Sequence, residues 1–201
     1  MSATSILENS PSDDFGFVML DLGLRPETRR RLTALIGRSR LTFLEPADEA
    51  APAPGTVDAP LRISAMLAGA HDRVIHLDCD TLVVGDLSPL SSIDLEDFPV
   101  AGTPRLTEPG SDGPPALDPG VLVIDTRRFV EERSGRRDPL PPRWKRLGSE
   151  WRFPVLGRLH QEWTGPLPVV HHFDAPHDLV HMRVMYDEYR RQCIAAGGPT
   201  F

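Results

Sequence analysis

The segment RVIHLDCDTLVVGDLSPL, residues 73–90, holds a short apolar run that ends in two carboxylates. Val74–Leu77 predicts a buried strand, and Leu82–Val84 predicts a second strand a few polar residues later. Asp78 and Asp80 lie between them, at the point where the first strand stops. Aspartate is common wherever a strand turns, so two solvated turn residues are one interpretation of this tripeptide.

A metal site is the other interpretation of Asp78 and Asp80. In an extended chain, residues two apart share a face, so the pattern places both carboxylates on one side. Two carboxylates that close repel each other unless a cation lies between them. Oxygen ligands of this kind suit Mg²⁺ or Mn²⁺, and open α/β sheets bind ligands beyond the carboxyl ends of their strands.

Strand and helix patterns alternate on both sides of this segment. Gly120–Ile124 is apolar throughout, as is typical of a strand covered on both faces. Alternating strands and helices predict an α/β domain with a mostly parallel central sheet flanked by helices. The other predicted strands cover 17–20, 41–44 and 169–170, and the predicted helices cover 26–36, 61–67, a stretch from Thr126, and 178–194.

Composition narrows the class of protein. The chain has 201 residues, a net charge of −7 and two cysteines, so a nucleic-acid partner and a disulfide framework are both disfavoured. No apolar stretch is long enough to span a membrane, and the polar, acidic start does not resemble a secretory signal, so we expect a cytoplasmic protein. We predict a flexible segment over residues 1–15 and a single domain over 16–201. The 21 prolines cluster in predicted loops at 46–60, 104–119 and 134–142.

Residues 73–90 closely resemble the metal-binding segment of the family 8 glycosyltransferases, which reads approximately D-K-V-L-Y-L-D-x-D-T-L-V-x-x-D-L-x-P-L. These are retaining enzymes with the GT-A fold. Four further segments are similar to family motifs in the same order. They are FVMLDLGLRPETRRRLTAL at 17–35, GVLVID at 120–125, LPPRW at 140–144 and VHHFDAP at 170–176.

The resemblance implies a transferase that moves a sugar from a nucleotide-diphosphate sugar, most often a UDP-sugar, to an acceptor that the motifs do not name, a small molecule included. It implies that Asp78, Asp80 and His172 bind Mn²⁺ or Mg²⁺. It also implies that Arg62 and Asp118 line the donor pocket. No catalytic residue is assigned.

The sequence also departs from the family pattern. Residues 1–15, which precede the strand at 17–20, are polar, so we expect the family's first strand–helix unit, which binds the base, to be lacking. The family's D-Q-D segment has no counterpart, and the lysine that binds the diphosphate falls on Asp178. Two alternatives therefore stay open. One is a catalytically inactive GT-A-like protein that binds or regulates a partner protein or a second copy of itself, and the other is a fold repurposed for another reaction.

Overall fold

The computed structural model describes residues 2–10, 15–45, 58–105, 116–133, 143–151, 153–154 and 169–172, with 184, 187 and 191. The central parts of the three proline-rich loops lie outside these residues. So does the predicted helix over 178–194, apart from positions 184, 187 and 191, which are helical. None of the described helices is long and apolar enough to cross a membrane.

Helices and strands alternate through most of the described chain, which confirms the α/β class. The helices are α1 (Ser2–Asn9), α2 (Pro26–Ile36), α3 (Asp58–Leu67), α4 (Ser88–Ser92) and α5 (Thr126–Arg133). The strands are β1 (Phe17–Leu20), β2 (Leu41–Leu44), β3 (Arg73–Leu77), β4 (Thr81–Val83), β5 (Val100–Pro104), β6 (Leu117–Asp125), β7 (Lys145–Arg146), β8 (Phe153–Pro154) and β9 (Val170–His172).

Strand β6 lies at the centre of the largest sheet, whose order is β3-β6-β5-β7. Its side chains alternate between two buried apolar clusters, as the period of two in a strand requires. Val121 and Val123 belong to the first cluster, together with residues of α1 and α4. Leu122 and Ile124 belong to the second, together with residues of α3 and α5. Helices therefore cover both faces of the sheet, as the apolar run predicted.

The direction of the strands differs from the expectation of a mostly parallel sheet. β6 pairs antiparallel with both β3 and β5, and β4 pairs antiparallel with β9. Parallel pairing joins β1 to β2, β5 to β7 and β8 to β9. The prediction was wrong on this point because a continuous apolar run reports burial on both faces, and burial does not depend on the direction of the neighbouring strand.

Residues 2–9 form helix α1, although a flexible segment was expected over 1–15. The helix packs Ile6 into the first cluster and lines the outer edge of β4 with polar side chains. The Ser5 hydroxyl accepts the Val83 N–H at 3.0 Å, and Asn9 Nδ2 donates to the Val83 carbonyl at 3.1 Å. These side chains provide the bonds that a neighbouring strand would otherwise supply to β4, because a buried backbone group needs a partner. No strand precedes β1 in the described residues.

Asp21 organises the turn between β1 and α2. One of its carboxylate oxygens accepts the N–H groups of Leu24 at 2.6 Å and Gly23 at 2.9 Å. The other oxygen lies 2.7 Å from Nε of Arg29 on α2. Gly23 has φ 102°, a conformation that side chains disfavour. The D-x-G-L motif is therefore explained by the local structure of this turn.

The same contacts predict how stability depends on pH. The hydrogen bond from the Leu24 N–H, and then the bond from the Gly23 N–H and the charge of Arg29, hold the pKa of the Asp21 carboxyl below its usual range, although burial opposes them. A carboxyl with a lowered pKa stabilises the fold above its unfolded pKa of about 3.9, and this contribution is lost as the pH falls further. We expect urea unfolding to show a stability gap between wild type and Asp21→Asn at pH 6 that narrows below pH ~4. A gap that is constant from pH 6 to pH 3 would contradict this.

Candidate metal centre

The two aspartates are brought together by a tight turn between β3 and β4. The Thr81 N–H and hydroxyl both bond the Asp78 carbonyl, at 3.3 and 2.7 Å. The turn is further held to β6, because the Asp78 N–H donates to the Gly120 carbonyl at 3.2 Å. Asp78 and Asp80 thus share one side of a turn, where the sequence pattern suggested an extended chain.

His172 reaches this turn through the ladder between β4 and β9, in which Thr81 pairs with His172. Its Nε2 atom lies 3.0 Å from Oδ1 of Asp80 and 3.4 Å from Oδ2 of Asp78. The His172 side chain is only 5% exposed, whereas those of Asp78 and Asp80 are 34% and 44% exposed. A buried imidazole therefore backs two carboxylates that face the solvent.

The donor set fits a divalent cation. One possible ligand atom from each of Asp78, Asp80 and His172 lies within 4.8 Å of the others. Two carboxylates and one imidazole suit Mn²⁺, and the exposed side leaves room for additional oxygen ligands. The structure thus brings together the three residues that the family resemblance indicated as metal ligands.

Cys79 lies between the two aspartates and is exposed. Partial burial, and then the charges of Asp80 and Asp78, raise the pKa of its thiol. A raised pKa disfavours the thiolate, which is the form of cysteine that binds metals and acts as a nucleophile.

The two other residues that were predicted to line the donor pocket, Asp118 and Arg62, are not part of this three-residue group. Asp118 lies in β6, almost fully buried, and its Oδ1 accepts the Gly120 N–H at 2.8 Å. It is outside the three-residue group but adjoins it, because the Gly120 carbonyl bonds Asp78. Arg62 lies on α3, and its side chain is outside the described residues.

Sequence reasoning missed His76, which lies on β3 two residues before Asp78. Its Nε2 atom is 3.1 Å from Oδ1 of Asp78. The signal was present in the sequence, because residues two apart on a strand share a face. The apolar residues on both sides of His76 favoured its interpretation as part of a buried strand.

The fold is a mixed α/β domain like that of solved GT-A glycosyltransferases. Among solved structures, the chain is similar to the galactosyltransferase LgtC in complex with donor and acceptor sugar analogues. The two share 19% identity over 87% of this chain and 82% of that one, with a TM-score of 0.64.

Two further solved glycosyltransferases have the same fold. GlyE of Streptococcus pneumoniae TIGR4 is 15% identical, with a TM-score of 0.60 and coverage of 87% of this chain and 51% of that one. The bifunctional glycosyltransferase WbbM is 15% identical, with a TM-score of 0.61, and the match covers 87% of this chain and 43% of WbbM. No protein-family model and no curated protein matches the sequence. The predicted resemblance to family 8 glycosyltransferases is thus confirmed for the fold.

Proposed function

We propose that this chain is a metal-dependent glycosyltransferase that transfers a sugar from a nucleotide-diphosphate sugar. The observation that carries the proposal is the convergence of Asp78, Asp80 and His172 within 4.8 Å on a GT-A fold. His172 follows Asp80 by 92 positions in the sequence, and the pairing of β4 with β9 brings the two residues together. In a transferase that uses a nucleotide-diphosphate donor, such a group would bind the cation that contacts the diphosphate.

In this proposal each residue of the group has a stated task. Asp78 and Asp80 supply oxygen ligands on the exposed side, and His172 supplies a nitrogen ligand from the buried side. Bound Mn²⁺ or Mg²⁺ would neutralise the charge of the diphosphate leaving group. The buried Asp118 keeps Gly120 in place behind the turn, so we propose that it shapes the donor pocket. We also propose that Arg62 binds the donor. A UDP-sugar is the first donor to test.

Calorimetric titration of wild type with UDP, GDP and their sugars, each with and without Mn²⁺, tests this function. We expect one nucleotide to bind only when Mn²⁺ is present, since the carboxylates alone repel a diphosphate. Repeating the titration with Mg²⁺ identifies the preferred cation. Binding that is independent of the metal, or no binding to any nucleotide, would contradict the proposal.

A second candidate function is the binding of a partner protein without catalysis. The observation that favours it is that the described strands form separate small sheets. In the described residues, β1 pairs only with β2, and β3 pairs only with β6. Each of these strands therefore presents one backbone edge that another strand could extend. The same titration distinguishes the two functions. A chain that binds no nucleotide but co-purifies with a partner, or forms an oligomer, would support the second.

A further inference from the structure

We infer that His76 is a positioning residue of the metal centre, which holds the carboxylate of Asp78 in the orientation that binds the cation. The inference rests on the proposed function in one respect, namely that Asp78 binds a metal. It adds a residue that lies outside the group of three and assigns it a task. The task is to bond one carboxylate oxygen so that the other is directed at the metal.

The position of His76 follows from the register of the sheet. On β3, His76 pairs with Leu122 of β6, and Leu77 pairs with Val121. Side chains alternate along a strand, so His76 and Asp78 project from the same side of the chain. Because β6 pairs with β3 and its Gly120 carbonyl accepts the Asp78 N–H, the imidazole and the carboxylate are both attached to the β3–β6 pair.

The two oxygens of Asp78 face two different imidazoles. Oδ1 lies 3.1 Å from Nε2 of His76, and Oδ2 lies 3.4 Å from Nε2 of His172. An ionised carboxylate only accepts hydrogen bonds, so His76 bonds Oδ1 in the tautomer that carries the proton on Nε2. With Oδ1 bonded in this way, Oδ2 is the oxygen on the side of His172 and Asp80. The hydrogen bond therefore selects one oxygen of Asp78 for the metal.

The distances also distinguish positioning from direct ligation. The described group whose ligand atoms all lie within 4.8 Å consists of Asp78, Asp80 and His172, and His76 is not a member. His76 contacts the group through one oxygen of Asp78. Hydrogen-bond partners of this kind orient the ligands of a metal, and their loss typically weakens metal affinity by about 10- to 100-fold.

The test measures Mn²⁺ affinity directly, from the electron paramagnetic resonance signal of the free ion at one fixed pH. We expect His76→Phe, which keeps an aromatic ring but no donor, to weaken Mn²⁺ binding by about 10- to 100-fold. His76→Gln retains an N–H donor on a chain of similar reach, so it should recover much of the affinity. His71→Phe is the matched control, because His71 is an exposed histidine just before the same strand. Its affinity should equal that of wild type.

Several outcomes would overturn the inference. Affinity of His76→Phe within twofold of wild type would show that the hydrogen bond has no role. Equal loss in the Phe and Gln variants would show that ring packing matters and the donor does not. Thermal unfolding checks that each variant folds, and His76→Leu replaces His76→Phe if that variant does not. Absence of Mn²⁺ binding by wild type itself would instead refute the proposed function, and the inference with it.

Discussion

Asp80→Asn is expected to weaken Mn²⁺ binding by more than about 100-fold, because loss of a direct ligand costs more than loss of a hydrogen-bond partner to a ligand. The substitution keeps the size of the side chain but removes its charge. It therefore weakens the electrostatic attraction between a bound cation and Oδ1 of residue 80, which lies 3.0 Å from Nε2 of His172. Binding of a nucleotide that depends on Mn²⁺ should disappear with it.

The same substitution should not destabilise the metal-free fold. Asp78 and Asp80 are like charges on one turn, and removing one of them relieves their repulsion. Thermal unfolding without metal should therefore give a melting temperature for Asp80→Asn at or above that of wild type. This result would show that the loss of Mn²⁺ binding in Asp80→Asn comes from the missing ligand and not from unfolding of the protein.

Asp97→Asn is the matched control for Asp80→Asn. Asp97 is an exposed aspartate just before β5. It lies near the end of β6 that contains Asp125, whereas Gly120 and the metal centre lie towards the other end of that strand. It removes the same charge from the chain and should leave Mn²⁺ affinity unchanged. If both variants bind Mn²⁺ like wild type, the three-residue group is not a metal site. If both weaken binding equally, the effect is one of net charge.

Phe129→Ala is expected to lower the free energy of unfolding by about 3–5 kcal/mol, the usual cost of removing a buried aromatic side chain. Phe129 lies on α5 and is 0% exposed in the second apolar cluster. Its partners there include Leu61 of α3 and Ile124 of β6, so the truncation leaves a cavity where both helices meet the sheet. Urea unfolding followed by far-ultraviolet circular dichroism measures this loss.

Val130→Ala is the matched control for Phe129→Ala. Val130 is the next residue of α5 and is 38% exposed. Its truncation removes little buried area, so we expect a change of less than about 1 kcal/mol. Equal losses in the two variants would contradict this prediction, because they would show that burial of Phe129 against the sheet adds nothing to the stability of α5.

Most of the secondary structure follows from the sequence alone. Pro26 and Gly37 mark the ends of α2, and Thr126 begins α5, because capping and backbone preferences act within a few residues. The apolar run of β6 predicted burial on both faces, which the two clusters confirm. Helix α1 was missed because its short segment has a small apolar stripe, and its contacts with β4 lie more than 70 residues away in sequence.

For the candidate site, the sequence by itself determined that two carboxylates end a strand, since strand periodicity and the position of Asp78 and Asp80 are local properties. The resemblance to a family added His172. Only the tertiary structure decided that His172 meets Asp80, and which imidazole faces which oxygen of Asp78. The direction of each strand was also decided there. The physical reason is that ladder register is set by packing and hydrogen bonding between distant segments, and no local pattern encodes the identity of the partner.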